Sequence, residues 1–301
     1  MKNLIWSAAF SLEVLLFLSP LQMAQESAAG VTRASHSDAF KQMREKGSAA
    51  KSPSQLSSPA EPQTRPAPDD LFVGLNLWRM RLAEASAPVR VRGLKHRTDP
   101  EGAKEWTAER IALAQPVAEG EILRISVESA QSGYLYIINR DVYANGDRSQ
   151  PILIFPTLSL RGGNNRVEPG VPVELPDFRD QPPAFTVERT RADQNGIELL
   201  LMVTPKPLAE ISVRNSEQGL REEQVASWVR AWGSNVDVTE DSSTVGAVYT
   251  LAERRAAGDD PSRPLGPDDP VPLTLFHRQG RPEAPMLVIA LIKLAPPGTD
   301  R

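Results

Sequence analysis

GYLYIINRDVYANGDRSQPILIFP, which runs from Gly133 to Pro156, is the stretch that decides the fold class of this chain. Tyr134–Ile138 and Ile152–Phe155 are short runs of β-branched and aromatic residues with turn-forming residues on either side. Asn145-Gly146 between them supplies the positive backbone angles that a tight turn needs. The stretch predicts two buried antiparallel strands joined by a polar turn, and it contains no catalytic motif.

Other strand patterns continue on both sides of this hairpin. Residues 197–203 and 286–294 are apolar at successive positions, which is typical of strands that are covered on both faces. Leu123, Ile125 and Val127 instead alternate with polar residues, as in a strand with one face toward solvent. These patterns predict a mainly β, sandwich-like domain over residues 71–301.

One segment has the spacing of a helix. Its apolar positions are Val225, Trp228, Val229 and Trp232. Asn215 or Ser216 is a candidate cap at its start, and Gly233 is placed to end it. The two tryptophans could form a ligand platform, but docking onto the sheet is the more common use of such a stripe. With a second candidate helix near residues 249–257, one or two helices are expected to cover the sheets.

The N-terminal 70 residues have a different composition. A short positive start, the apolar run Leu4–Leu18 and the small residue Ala24 predict a signal peptide over residues 1–24, although an uncleaved anchor is the alternative. Residues 25–70 are rich in Pro, Ser and Ala and predict a disordered spacer. A short helix within residues 38–46 is conceivable there, with nothing to anchor it. The chain is therefore expected to be exported, to the periplasm or outside the cell.

Composition limits the classes of partner. The 301 residues carry a net charge of −4, so the chain lacks the basic excess that suits nucleic acid, and a membrane is expected as a partner only through an uncleaved leader. The absence of cysteine excludes disulfides and a thiolate nucleophile. An apolar core must hold the domain together.

Five short motifs resemble the bacterial domain of unknown function 4384 family. They are Gly133–Tyr136, Ile154–Pro156, Leu175-Pro176, Gly196–Val203 and Pro207-Leu208. The family-like core spans residues 116–211, and the helix and strand that follow form a C-terminal extension. The resemblance implies a domain of bacterial envelope proteins, found in some cases beside caspase-like or kinase modules, for which no activity is established.

Motifs for chemistry are scarce. His36, His96 and His277 have no zinc-site spacing and are each expected to be solvated. Asp141–Asp147 is similar to the opening of a calcium loop, but Tyr143 and Ile152 stand at ligand positions, and hairpin turn chemistry explains the same residues. We predict no cofactor and no metal site.

Two polar loops are the candidate binding surface. The residues hypothesised to bind a partner are Tyr143, Asn145, Arg161, Asn164 and Arg166. Loops at the end of a sandwich commonly bind ligands, although ordinary surface turns have the same composition. The sequence favours an exported, non-catalytic envelope module that binds a protein or glycan partner through these end loops. The alternative is a hydrolase of envelope glycans, which needs two carboxylates about 5–10 Å apart.

Overall fold

Two antiparallel β-sheets form the body of the protein, and the predicted mainly β fold is confirmed. The computed structural model describes residues 36–46, 70–82, 106–177, 179–259, 263–281 and 283–298. The predicted signal peptide and most of the predicted spacer lie outside these ranges. Within the described ranges, no helix has the length and apolar character that crossing a membrane requires.

The strands and helices follow in this order. The strands are β1 (Asp70–Leu82), β2 (Trp106–Ile111), β3 (Ile122–Ser129), β4 (Gly133–Tyr143), β5 (Ile152–Phe155), β6 (Arg166–Val167), β7 (Val173–Leu175), β8 (Phe185–Thr186), β9 (Gln194–Thr204), β10 (Gln218–Gly219), β11 (Asp237–Glu240), β12 (Thr274–Gln279) and β13 (Met286–Lys293). The helices are α1 (residues 36–46), α2 (Glu222–Trp232) and α3 (Leu251–Arg254).

The sheets have seven and six strands. The larger sheet has the order β11-β12-β1-β3-β7, with β2 also paired to β1 and β8 to β3. The smaller sheet has the order β10-β5-β4-β9-β13, with β6 also paired to β4. The predicted hairpin of β4 and β5 is confirmed, with a bulge between Ile137 and Ile138.

A single apolar core fills the space between the sheets. Leu75 and Ile125 from the larger sheet join Leu135 and Leu201 from the smaller sheet in this core. On β4 and β9 the intervening residues are also buried, as predicted, because α2 covers the outer face of the smaller sheet. β13 differs because it is an edge strand. On its outer face Leu287 is buried beside α2, but Ile289 and Leu291 further along are exposed.

Helix α2 docks onto the smaller sheet by its tryptophan stripe. Val225 and Trp228 are buried against that sheet, which favours docking over the ligand-platform interpretation, and Gly233 ends the helix as predicted. The predicted start at Asn215 or Ser216 is wrong. Residues 218–219 form β10 on the edge of the sheet, and the helix begins only afterwards, at Glu222.

Helix α1 confirms the short helix expected near residues 38–46 and corrects the prediction that nothing anchors it. Phe40 is fully buried and meets the Phe72 ring edge-on at 6.0 Å. Arg44 is also buried and donates two hydrogen bonds to Glu128 on β3, at 2.5 and 2.6 Å. The polar face of β3 was expected to meet solvent, but Ser126 and Glu128 are buried because the outer face of the larger sheet is covered.

Candidate functional site

The two loops predicted to form one binding surface lie at opposite ends of β4. Arg166 pairs with Tyr134 at the start of the strand, whereas Tyr143 is its last residue and Asn145 follows. Nine residues at 3.3 Å each separate these ends by about 30 Å. The prediction of a single patch formed by both loops is therefore wrong.

The residues of the first loop are engaged within the protein. Tyr143 is only 7% exposed, and the guanidinium of Arg191 lies 3.9 Å from the centre of its ring. The side chain of Asn145 accepts a hydrogen bond from the backbone N–H of Asp147 and donates one to its carboxylate. This is turn chemistry, and it leaves little of Tyr143 for a partner.

The second loop is stabilised in the same way. Arg161 lies 3.8 Å from the carboxylate of Asp177, and its backbone N–H donates to Asp180. Asn164 accepts a hydrogen bond from the backbone N–H of Arg166. Only Arg166 presents an exposed charge, and Glu168 lies 3.7 Å from it.

The calcium-like stretch has internal partners as well. The carboxylate of Asp141 accepts hydrogen bonds from Thr190 and from the side-chain amide of Gln194. Among the residues that the structure describes, no group of three His, Asp or Glu side chains is arranged to hold a metal ion.

The histidines differ from the prediction. His277 is buried rather than solvated, and its Nε2 lies 3.1 Å from the carboxylate of Asp70. The His36 ring lies 4.5 Å from the His277 ring, and His36 Nδ1 lies 3.0 Å from Thr239 Oγ1. Burial and the neighbouring His277 lower the pKa of His36. This pair helps to join α1 to the sheet, whereas His96 lies outside the described residues.

A cleft on the outer face of the larger sheet is the candidate functional site. Its volume is ≈ 510 Å³, which is in the range of small-ligand sites. Its lining residues come from β1, β2, β3, β7, α3 and the segment that leads into α3. They are Met80, Trp106, Thr107, Ala108, Arg124, Glu174, Val248, Tyr249 and Arg254.

Glu174 and Tyr249 form the floor of the cleft. Glu174 lies between Val173 and Leu175, both of which point into the core, so the alternation of the strand places Glu174 on the outer face. Its side chain is only 7% exposed. The Tyr249 hydroxyl lies beside the Glu174 carboxyl, but no described residue gives it a hydrogen bond of good geometry.

Burial controls the ionisation of these two groups. It raises the pKa of Glu174, and the neighbouring Asp177 adds to this, whereas Tyr249, Arg124 and Arg161 oppose it. Burial and the adjacent Glu174 also raise the pKa of Tyr249, so this phenol stays neutral. A carboxyl group with a raised pKa in a cleft is a recognised indicator of a functional site.

The rim of the cleft is cationic and aromatic. Arg124 is oriented by a hydrogen bond of 2.6 Å from its Nε to the carbonyl of Pro183. Arg254 is exposed on α3, and the Trp106 side chain is 43% exposed. Neither arginine forms an ion pair within 4 Å with any carboxylate of the described ranges. Their N–H groups are available to a ligand.

A buried network fixes α3 beneath this rim. Thr250 and Glu253 form a capping box at the start of α3. Glu253 also accepts a hydrogen bond from Arg110 on β2, and both side chains are buried. Arg110 lies 5.0 Å from the ring of Trp78, and the Tyr249 ring meets the same Trp78 edge-on at 4.8 Å. These contacts hold the cleft side chains in place before any ligand binds.

The cleft could not be located from the sequence. The alternation around Glu174 could have placed that residue on the outer face, and Trp106 is a large aromatic residue in a polar segment. Nothing local shows that segments more than 120 residues apart meet over the same face. No family model, curated protein or solved structure matches the chain, so the resemblance to the family of unknown function stays a prediction.

Proposed function

We propose that the protein is an exported, non-catalytic module of the bacterial envelope that binds a protein or glycan partner in the cleft between β2, β7 and α3. The signal-like N-terminus and the resemblance to the domain of unknown function 4384 family support export and the envelope. The cleft, and not the end loops, is the proposed binding surface, because the loop residues form contacts within the protein.

Two features of the cleft support this proposal: polar groups that a ligand can reach, and buried contacts that hold these groups in position. The cleft holds two guanidinium groups without an ion pair in the described residues, and a buried hydroxyl without a well-formed hydrogen bond. The two guanidiniums are accessible and carry no ion pair within the described ranges, so acidic or hydroxyl groups of a ligand can pair with them through charge-assisted hydrogen bonds. Their positions are fixed by the buried Arg110–Glu253 contact rather than by a mobile loop.

A pair of matched valine substitutions tests the proposal. Val248 lines the cleft and is 58% exposed, whereas Val238 on β11 is 59% exposed and does not line the cleft. Both changes to glutamate leave the core intact. Cross-linked affinity capture from an envelope extract, with the full chain as bait, should lose its specific partner with Val248→Glu and keep it with Val238→Glu. Equal capture by the two variants would remove the cleft as the binding site.

One observation favours the alternative of a glycan hydrolase. The raised pKa of Glu174 suits a general acid. Hydrolysis of a glycosidic bond normally uses a second carboxylate about 5–10 Å away. Glu174 is the one carboxylate among the described residues that line the cleft. Release of reducing ends from envelope glycans that disappears in Glu174→Gln would establish the hydrolase and overturn the binding proposal.

A further inference from the structure

We infer that the ligand of the cleft is an acidic glycan, a sugar chain that contains hexuronic acid residues. This inference rests on the proposed function and names the chemical class of its ligand. It depends on three features of the cleft: cations at the rim, hydroxyl-binding groups at the floor and an exposed indole between hollows.

The rim selects for a carboxylate. Arg124 and Arg254 each present a guanidinium, which binds a carboxylate through paired, charge-assisted hydrogen bonds. Arg124 uses its Nε for the carbonyl of Pro183, which orients the remaining N–H groups and leaves them available. A neutral ligand would form no charge-assisted pair with either guanidinium.

The floor selects for hydroxyl groups. Tyr249 can donate or accept a hydrogen bond, and Glu174 accepts when ionised and donates when protonated. A sugar hydroxyl can pair with both residues because it donates and accepts through the same oxygen. A hexuronic acid carries its carboxylate at one end of a ring that bears several hydroxyls, so a single ring can meet the rim and the floor together.

Trp106 extends the binding surface beyond one ring. Its exposed indole offers an apolar face on which the C–H face of a sugar ring can pack. The same residue borders a second hollow of ≈ 430 Å³ beside Arg79 and Arg81, and a third of ≈ 160 Å³ beside Pro182 and Pro183. Three hollows that share the Trp106 side chain in their lining fit an oligosaccharide better than a single sugar.

Calorimetry with three probes tests the inference on the full chain. The probes are trigalacturonic acid, its neutral counterpart galactotriose and triglutamate, measured in the same low-salt buffer. We expect trigalacturonic acid to bind and the other two probes to bind at least about tenfold more weakly. Galactotriose loses the charge-assisted contacts of the carboxylates, and triglutamate lacks the ring hydroxyls that pair with the floor.

Two neighbouring arginines provide the matched variants. Arg254 lines the cleft, and Arg255 is exposed beside it but does not line the cleft. Arg254→Ala should weaken trigalacturonic acid binding by about tenfold, whereas Arg255→Ala should leave it unchanged, since both remove one charge but only one lies in the site. Equal effects of the two variants would show that only net charge matters and would overturn the inference.

Other results also overturn it. Equal binding of galactotriose would identify a neutral glycan, equal or tighter binding of triglutamate would identify an acidic peptide, and binding of none of the probes would remove acidic glycans. Partner capture that is blocked by Val248→Glu would in each of these cases keep the proposed function. Failure of both experiments would remove the cleft itself.

Discussion

Arg44→Ala is expected to destabilise the domain because it leaves Glu128 buried without its charged partner. Arg44 donates two hydrogen bonds to that carboxylate and further ones to the carbonyls of Gly266, Asp269 and Pro270. The side chains of Arg44 and Glu128 are 1% and 3% exposed. Water therefore cannot replace the lost contact while α1 stays docked.

The burial of the Arg44–Glu128 pair sets how much unfolding free energy Arg44→Ala removes. Removing one partner of a buried ion pair costs about 3–5 kcal/mol. We expect the lower end, about 3 kcal/mol, because α1 can separate from the sheet and let water reach Glu128. For a domain of this size, that corresponds to a fall of about 6–12 °C in Tm. Replacing both partners, as Arg44→Met with Glu128→Leu, should restore the free energy of unfolding to within about 1 kcal/mol of the wild type.

The loss of unfolding free energy in Arg44→Ala should also depend on pH. Burial raises the pKa of Glu128, and Arg44 opposes this shift. A carboxyl whose pKa is higher in the folded state than in the unfolded state gains stability as the pH falls through the folded value. Arg44→Ala removes the opposing charge, so its deficit should be larger at pH 7 than at pH 5.

Thermal and denaturant unfolding of the full chain, with hydrogen exchange of residues 36–46, measures these effects. Arg44→Ala should lower the Tm and speed amide exchange in α1. An unchanged Tm, or a double variant less stable than the single one, would contradict the burial of the pair.

Two further predictions concern α2 and the cleft. Trp228→Ala should lower the free energy of unfolding by about 3–5 kcal/mol, because the Trp228 side chain is buried between α2 and the smaller sheet. Trp232→Ala should cost much less, because Trp232 is partly exposed. Equal losses in a denaturant titration would contradict the described docking of α2. Trigalacturonic acid should bind more tightly at pH 5 than at pH 7, because falling pH neutralises Glu174 while the ligand stays ionised above about pH 4. In Glu174→Gln this pH dependence should vanish, and an equal dependence in both proteins would assign it to another group.

Much of the fold could be predicted, because runs of consecutive apolar residues in β4 and β9 indicate that both faces of these strands are buried. Leu135 and Tyr136 already occupy opposite faces of β4, and both faces are covered. A short helix within residues 38–46 is among the expectations from the sequence, but its docking onto the sheet could not be predicted in the same way. Phe40 is one aromatic residue in a polar segment, and its partner Phe72 and the ion-pair partner of Arg44 are distant in sequence.

The candidate site could not be predicted because it depends on how the elements assemble. The two end loops share a polar composition, which suggests a single surface. The register of β4 nevertheless places Arg166 and Tyr143 at opposite ends of that strand. The cleft joins Trp106, Glu174 and Arg254, which lie on separate elements. A fragment of residues 71–301 would lack α1, so binding experiments need the full chain.

Site-specific photo-cross-linking tests the central claim most directly. A benzoylphenylalanine at position 248, in the cleft, and one at position 238, on β11 outside the cleft, replace valines of nearly equal exposure. Cross-linking of an envelope partner from position 248 and not from position 238 is the predicted result. Cross-linking from position 238 alone, or equally from both positions, would contradict binding in the cleft.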